Sequence, residues 1–260
     1  MKRIIAFALA LLIVLSFAAC GEKGGDTKKD DGAKSTPASS TPKSTQKPDD
    51  KKDDKKDDKE AASGLVYTLL EDGSGYSVKG AESSSETSVV IEASYKGKPV
   101  VEIAEDAFYG YPKMTEISIP DSVLRIDGYA FHWCEALTQI TVPSSVQSIG
   151  RGAFRYSSLK SFIFPEGITV IDEDVFYGVQ TLEYVVIPAS VTLIKDAAFD
   201  DTRAMTAVYF GGTQAQWDAI TFENKYDFYF RDAKKYFYSD SAPSGEGDFW
   251  HYVDGVPTPW

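Results

Sequence analysis

The chain has 260 residues, 39 acidic against 27 basic side chains, and a formal net charge of −12. After position 62 it holds fourteen basic and twenty-eight acidic residues. That balance excludes a nucleic-acid binder, which needs a basic face, and direct docking on anionic lipid.

Lys2 and Arg3 form a basic head, and Ile4 to Leu15 is an almost unbroken apolar run. The run is shorter than the about 20 apolar residues that a membrane span needs. With small residues Ala18 and Ala19 behind it, the segment 1–20 reads as a secretory signal peptide. Phe17-Ala18-Ala19-Cys20 resembles the lipobox of bacterial lipoproteins, departing from it at Phe17, where the family carries Leu. The resemblance implies lipid attachment at Cys20 and anchoring on the outer face of the bacterial membrane. Of the two cysteines, Cys134 is then left without an intramolecular partner. Residues 21–62 contain no aromatic residue and no Val, Ile, Leu or Met. Such a stretch has too little apolar surface to offset its chain entropy and is expected to be a disordered linker. A flexible chain of this length has an r.m.s. span of about 35–40 Å, enough to hold a folded head away from a membrane.

The folded part begins at residue 63. Tyr67 to Val78, around Asp72-Gly73-Ser74-Gly75, reads as a hairpin, and Val89-Val90-Ile91 opens a partial repeat that ends near residue 100. From 101 to 211 the chain repeats itself. Phe108, Phe131, Phe154, Phe176 and Phe199 stand at intervals of 23, 23, 22 and 23. Five residues before each stands Ile: Ile103, Ile126, Ile149, Ile171 and Ile194. Before Pro120, Pro143, Pro165 and Pro188 run alternating pairs, Ile117/Ile119, Ile140/Val142, Phe162/Phe164 and Val185/Ile187. Met114, Leu137, Leu159 and Leu182 precede those pairs by three residues, and Met205 likewise precedes Val208/Phe210, where Gly211 replaces the proline. Residues two apart share a face of a strand, so Ile140 and Val142 are expected inward and Thr141 outward. Proline, lacking an N–H, ends each strand. A period of 20–29 residues with this phasing marks a leucine-rich repeat solenoid: a β-rich, right-handed superhelix of about five repeats of 22–23 residues plus caps, with short strands, turns and short helical or 3-10 segments.

Leu137-Thr138-Gln139-Ile140-Thr141-Val142-Pro143, followed by Val146, Ile149-Gly150 and Ala153-Phe154, resembles the BspA-type leucine-rich repeat of bacterial surface proteins. The cap and tail expected at 212–260 fit the resemblance. Gly212 to Ile220 resembles the short helical segment that ends such arrays, and Trp250 to Pro257 the tail that follows it.

The sequence offers little for catalysis. His132 and Cys134 invite a nucleophile–base reading, but Cys134 shares its column with Tyr111, Ser157, Val179 and Thr202, as a packing position does. Glycine-rich phosphate loops, His/Cys clusters and serine-nucleophile motifs are missing, and Asp172-Glu173-Asp174 lacks calcium-loop spacing. The chain is therefore read as non-enzymatic, with no metal and no cofactor.

Two surface columns are candidates for binding. The outward strand position runs Ser118, Thr141, Ile163, Val186, Tyr209, and its neighbour two residues earlier includes Tyr184. Ile163, Tyr184, Val186 and Tyr209 thus make an apolar patch on the sheet, which serves either a ligand or simple β propensity, or lies under the terminal segment around Trp217. The second column follows each Phe: Tyr109, His132-Trp133, Arg155-Tyr156 and Tyr177. Trp133 and Tyr156 either grip a sugar or protein or plug gaps between coils. For Trp250, Tyr252 and Trp260, a strand or cap packed on the last coil is expected.

The BspA resemblance implies adhesion: a lipid-anchored cell-surface protein presenting its repeat face to a protein or glycan of host, matrix or microbial surface. A wall-zone or envelope scaffold remains the alternative. The membrane is reached through the N-terminal lipid only, and no oligomeric state follows from the residues.

Overall fold

The computed structural model describes residues 59–60, 64–81, 85–223 and 227–260; the signal peptide, Cys20 and most of the linker lie outside them. The described chain winds as a β-solenoid. Every coil but the one carrying Ile140 and Val142 contributes one short strand to a front face, and each contributes one to a narrower rear ribbon. Front strands Ser161–Ile163, Tyr184–Ile187 and Ala207–Phe210 pair in parallel, with Ser161 opposite Tyr184 and Tyr184 opposite Ala207. Rear strands Lys98–Ile103, Arg125–Ile126 and Ser148–Ile149 pair in the same sense, as do Val170–Ile171 and Leu193–Ile194. The paired strands of successive repeat coils stand 23 residues apart, the prevailing sequence period.

The strands are only two to six residues long, so the ladder alone is a weak support and the interior matters more. The five Ile and the Leu/Met column are all buried. The Phe column forms a continuous stack, with ring centroids 5.5, 5.4, 5.5 and 5.5 Å apart from Phe108 to Phe199. Burying one such ring contributes about 1.5–3 kcal/mol, and each ring needs a neighbour on both sides, which makes the coils interdependent.

The turn that carries each Phe is pinned by hydrogen bonds from coil to coil. Phe108, Phe131, Phe154 and Phe176 donate their N–H to Ala130, Ala153, Val175 and Ala198 carbonyls at 2.8–3.0 Å. The Phe199 N–H has no further repeat to meet, and it donates to the Asp227 carboxylate. The stack continues beyond residue 211 in the same way: Phe230, on the short helix Phe228–Asp232, lies 4.1 Å from Phe199 at an interplanar angle of 6°. An inserted helix, Gln214–Asp218, lengthens this last coil. Its capping box, in which Thr213 and Gln216 satisfy each other's backbone N–H, makes the short helix self-supporting at its start.

Two ends close the solenoid. Val66–Leu69 and Tyr76–Lys79 form the expected hairpin, and the second strand pairs in parallel with Lys98–Ile103. At the other end Lys234–Tyr238 extends the front sheet, followed by Phe249–Val253 and Val256–Pro259. Asp254 and Gly255 both have positive φ, 51° and 78°, the conformation that turns a two-residue hairpin loop.

The front sheet departs from expectation in one coil. Ile140 and Val142 are only half-buried around exposed Thr141, and no strand forms there. Inward and outward alternate as expected, but the front sheet is split between Glu116–Ser118, paired with Ser88–Val90, and Ser161–Ile163. The break falls where an aliphatic pair gives way to the bulkier Phe162 and Phe164.

Candidate functional site

The two candidate columns meet different fates. On the front sheet Ile163 is exposed, Tyr184 and Tyr209 are half-buried, and Val186 is buried. Val186 is thus not available at the surface: its short side chain stands in register between Ile163 and Tyr209 and two residues from Tyr184, and these larger side chains rise around it. The Tyr184 and Tyr209 rings meet edge to face at 5.6 Å. The tail then covers Tyr209. Trp250, 1% exposed, places its ring 5.5 Å from Tyr209 and donates its indole N–H to the Phe210 carbonyl at 2.8 Å. Partial burial, with the Glu166 carboxylate nearby, raises the Tyr252 phenol pKa, which puts the tail beside the coil of Ile163. The covering segment is therefore the one around Trp250, not the one around Trp217, whose ring packs on Phe210, Phe222 and Phe230.

The turn edge stays open. The residue two after each Phe lies in the left-handed region: Gly110, Trp133, Tyr156, Gly178 and Asp201, with φ of 68°, 58°, 53°, 72° and 57°. Glycine takes this conformation freely, whereas a side-chain-bearing residue incurs about 1–2 kcal/mol. Two coils obey that preference; two place an aromatic ring there instead. Trp133 is 45% exposed, as is Tyr109 beside it, with the rings 5.7 Å apart. Trp133 and Tyr156 lie 6.2 Å apart and nearly parallel, at 29°. Gly178 leaves room for Tyr156, since a Cβ at that position would run into its ring.

Beneath the aromatic row the polar groups are arranged tightly. Arg155 holds its guanidinium over the Tyr156 and Tyr177 rings, 5.1 and 4.4 Å from their centroids, and pairs with Asp174 at 3.1 Å. His132 is wedged among Tyr109, Tyr129, Trp133 and Tyr156. Burial, and then the Arg155 charge, depress its pKa, so the imidazole is neutral at pH 7. The Ser157 hydroxyl and His132 Nε2 have no hydrogen-bond partner among the described residues. Beside Trp133 and Tyr156 opens a cleft of about 530 Å³, walled also by Ser157, Ser158, Gln180 and Thr181. Its unpartnered hydroxyl was invisible in the sequence, where Ser157 only looked like a packing position.

The other chemical candidates are engaged in packing. Cys134 is fully buried, its thiol donating to the Phe108 carbonyl at 3.2 Å, and burial pushes its pKa up to about 12. A thiolate nucleophile served by His132 is therefore ruled out. Asp172 pairs with Lys195, and Asp174 with Arg151 and Arg155, at 3.0–3.1 Å. Among the described residues no three His, Cys, Asp or Glu side chains are placed to hold a metal ion, and no helix is long and apolar enough to cross a membrane.

This architecture agrees with known proteins. The BspA type leucine rich repeat region matches residues 101–228 in six copies, and that segment belongs to the BspA-type leucine-rich repeat family. A leucine rich cell surface protein from Faecalibacterium prausnitzii A2-165 is similar at 31% identity and a TM-score of 0.55, over 60% of this chain and 40% of that one. The chain thus spans less than half of that relative. A leucine rich repeat protein of T. pallidum is 27% identical over 58% of this chain and 85% of its own, with a TM-score of 0.49. The pneumococcal vaccine antigen PcpA shares the fold at 14% identity and a TM-score of 0.52, over 69% of this chain and 42% of that one. No curated protein matches the chain.

Proposed function

We propose that this protein is a non-enzymatic binding protein of the bacterial cell surface, tethered through lipid on Cys20, that holds its solenoid out to a protein or glycan ligand. One observation carries the reading: Trp133 and Tyr156 occupy left-handed turn positions that two of the three sister coils give to glycine. The fold is served there without a side chain, so two rings kept at a conformational cost are explained by what they touch outside. Repeat solenoids use such extended surfaces for binding. The Faecalibacterium relative is a cell surface protein, which supports the same location. The acidic head suits a protein or glycan better than a polyanion.

The test is a binding screen of the soluble chain after residue 62 against matrix proteins, mucins, wall fragments and a glycan array, at low and high salt. A saturable, salt-tolerant hit on host, matrix or microbial material is expected. A hit on the producer's own envelope alone, with the head shielded from protease until the wall is removed, overturns adhesion in favour of an envelope scaffold.

A further inference from the structure

We propose that the cleft beside Trp133 and Tyr156 is a carbohydrate subsite that takes a neutral pyranose, stacked on the Trp133 indole with its hydroxyls turned toward Ser157. The proposal rests on the surface-binding reading and narrows it to one ligand class at one place.

Three observations converge on a sugar. A pyranose presents one face of C–H groups, and the negative face of an aromatic ring attracts their weak positive charge. The Trp133 indole, flanked by Tyr109 and Tyr156 yet 45% exposed, offers its uncovered part as such a platform. The same ligand edge needs partners for hydroxyls that both donate and accept, and the Ser157 hydroxyl has both capacities. Ser157 is 5% exposed, lines the cleft, and has no partner among the described residues. A buried polar group left unsatisfied is costly, so a hydroxyl arriving from a ligand stabilises what the fold alone leaves incomplete. The Thr181 hydroxyl, which donates to the Leu159 carbonyl at 2.9 Å, keeps its oxygen free to accept.

Charge selects among sugars. The one carboxylate lining the cleft is Glu135. The Arg155 guanidinium does not line the cleft and is paired with Asp174. The imidazole of His132 is neutral at pH 7 because burial lowers its pKa. Nothing in the cleft therefore compensates an anionic sugar, and a neutral hexose or N-acetylhexosamine fits. A volume of about 530 Å³ lies within the range of small-ligand sites.

The experiment titrates the full chain with methyl glycosides of glucose, galactose, mannose, N-acetylglucosamine and N-acetylgalactosamine, and with their oligosaccharides. Tryptophan fluorescence and saturation-transfer NMR are the readouts. The expected result is saturable binding with the strongest transfer to protons of one ring face. Trp133→Gly should then weaken binding about tenfold or more, Trp133→Phe should retain part of it, and Ser157→Ala should weaken it less. Thermal unfolding of Trp133→Gly serves as the folding control, since Gly110 and Gly178 show that the backbone accepts glycine here. No saturable response to any glycoside or oligosaccharide overturns the subsite, as does binding that Trp133→Gly leaves intact. If a protein ligand binds while every sugar fails, surface binding stands and the carbohydrate site falls. If neither class binds, both readings fall together.

Discussion

The front sheet and the turn edge carry similar aromatic columns, yet only one of them stays open. On the sheet, Tyr209 is met by Tyr184, Tyr236 and Trp250 and becomes half-buried. At the turn, Trp133 has aromatic neighbours on both sides and is still 45% exposed. The difference lies in what folds back. The last strands extend the front sheet and lay Trp250 against its face, whereas the turn edge ends at Phe230, which prolongs the buried stack and leaves the rings above it uncovered. An aromatic column is thus a surface only if the chain itself has nothing left to lay on it.

Both columns rest on the phenylalanine stack, so the first way to break the comparison is to remove its middle. Phe154→Ala should cost about 3–5 kcal/mol through the cavity it leaves. In a folded region of this size that lowers Tm by roughly 6–20 °C. An unchanged melting temperature would contradict the register of the stack. Converting the sheet into a second open face is the next step. Trp250→Ala should cost about 3 kcal/mol and release the Phe210 carbonyl from its indole partner. Hydrogen exchange should quicken in the tail strands Phe249–Val253 and Val256–Pro259 and leave the turn edge protected; equal quickening at both sites would mean that the tail supports the whole solenoid.

The Asp227 cap offers a smaller, pH-dependent effect. Burial, then the Asp200 and Asp196 charges, raise its pKa from 3.8 to about 7, against the Phe199 N–H that favours the carboxylate. The folded chain therefore holds this proton between about pH 4 and 7 where the unfolded chain has released it. The contribution is full at the acid end and lost as pH rises through 7. Asp227→Asn keeps an acceptor for Phe199 without the charge. Its Tm relative to wild type should rise between pH 5 and pH 8; a constant difference would show that the cap does not titrate there. The smallest effect on stability is expected at the proposed subsite. Trp133→Gly removes ring contacts but relieves the left-handed backbone, so its unfolding free energy should stay within about 1 kcal/mol of wild type. A larger loss in denaturant unfolding would make Trp133 a structural plug after all.

Much of this was legible in the residues. Every Ile, Phe and Leu/Met column read from the period is buried. Of the tail aromatics, expected in a strand or cap packed on the last coil, Trp250 is buried in such a strand while Tyr252 and Trp260 stay exposed. Phe230 was missed because it follows Phe199 by 31 residues, the Gln214–Asp218 helix having been inserted between them. The loss of the strand at Ile140/Val142 was also hidden, since its alternation is as good as that of its neighbours. At the turn edge the sequence singled out Trp133 and Tyr156, but on the front sheet it placed Val186 at the surface, where the structure buries it.

The sequence by itself determined the coil: its period, its inward columns, its proline stops and its acidic head. Those properties are local or strictly periodic, and apolar side chains at a fixed step are buried wherever coils of that step stack. Only the tertiary structure decided which outward side chains meet water. Exposure depends on residues distant along the chain, as Trp250 is from Tyr209, and on whether a neighbouring coil holds glycine, as Gly178 does beneath Tyr156. A repeat pattern encodes what each coil shares with the next, whereas a surface arises where the coils differ and where the ends fold back.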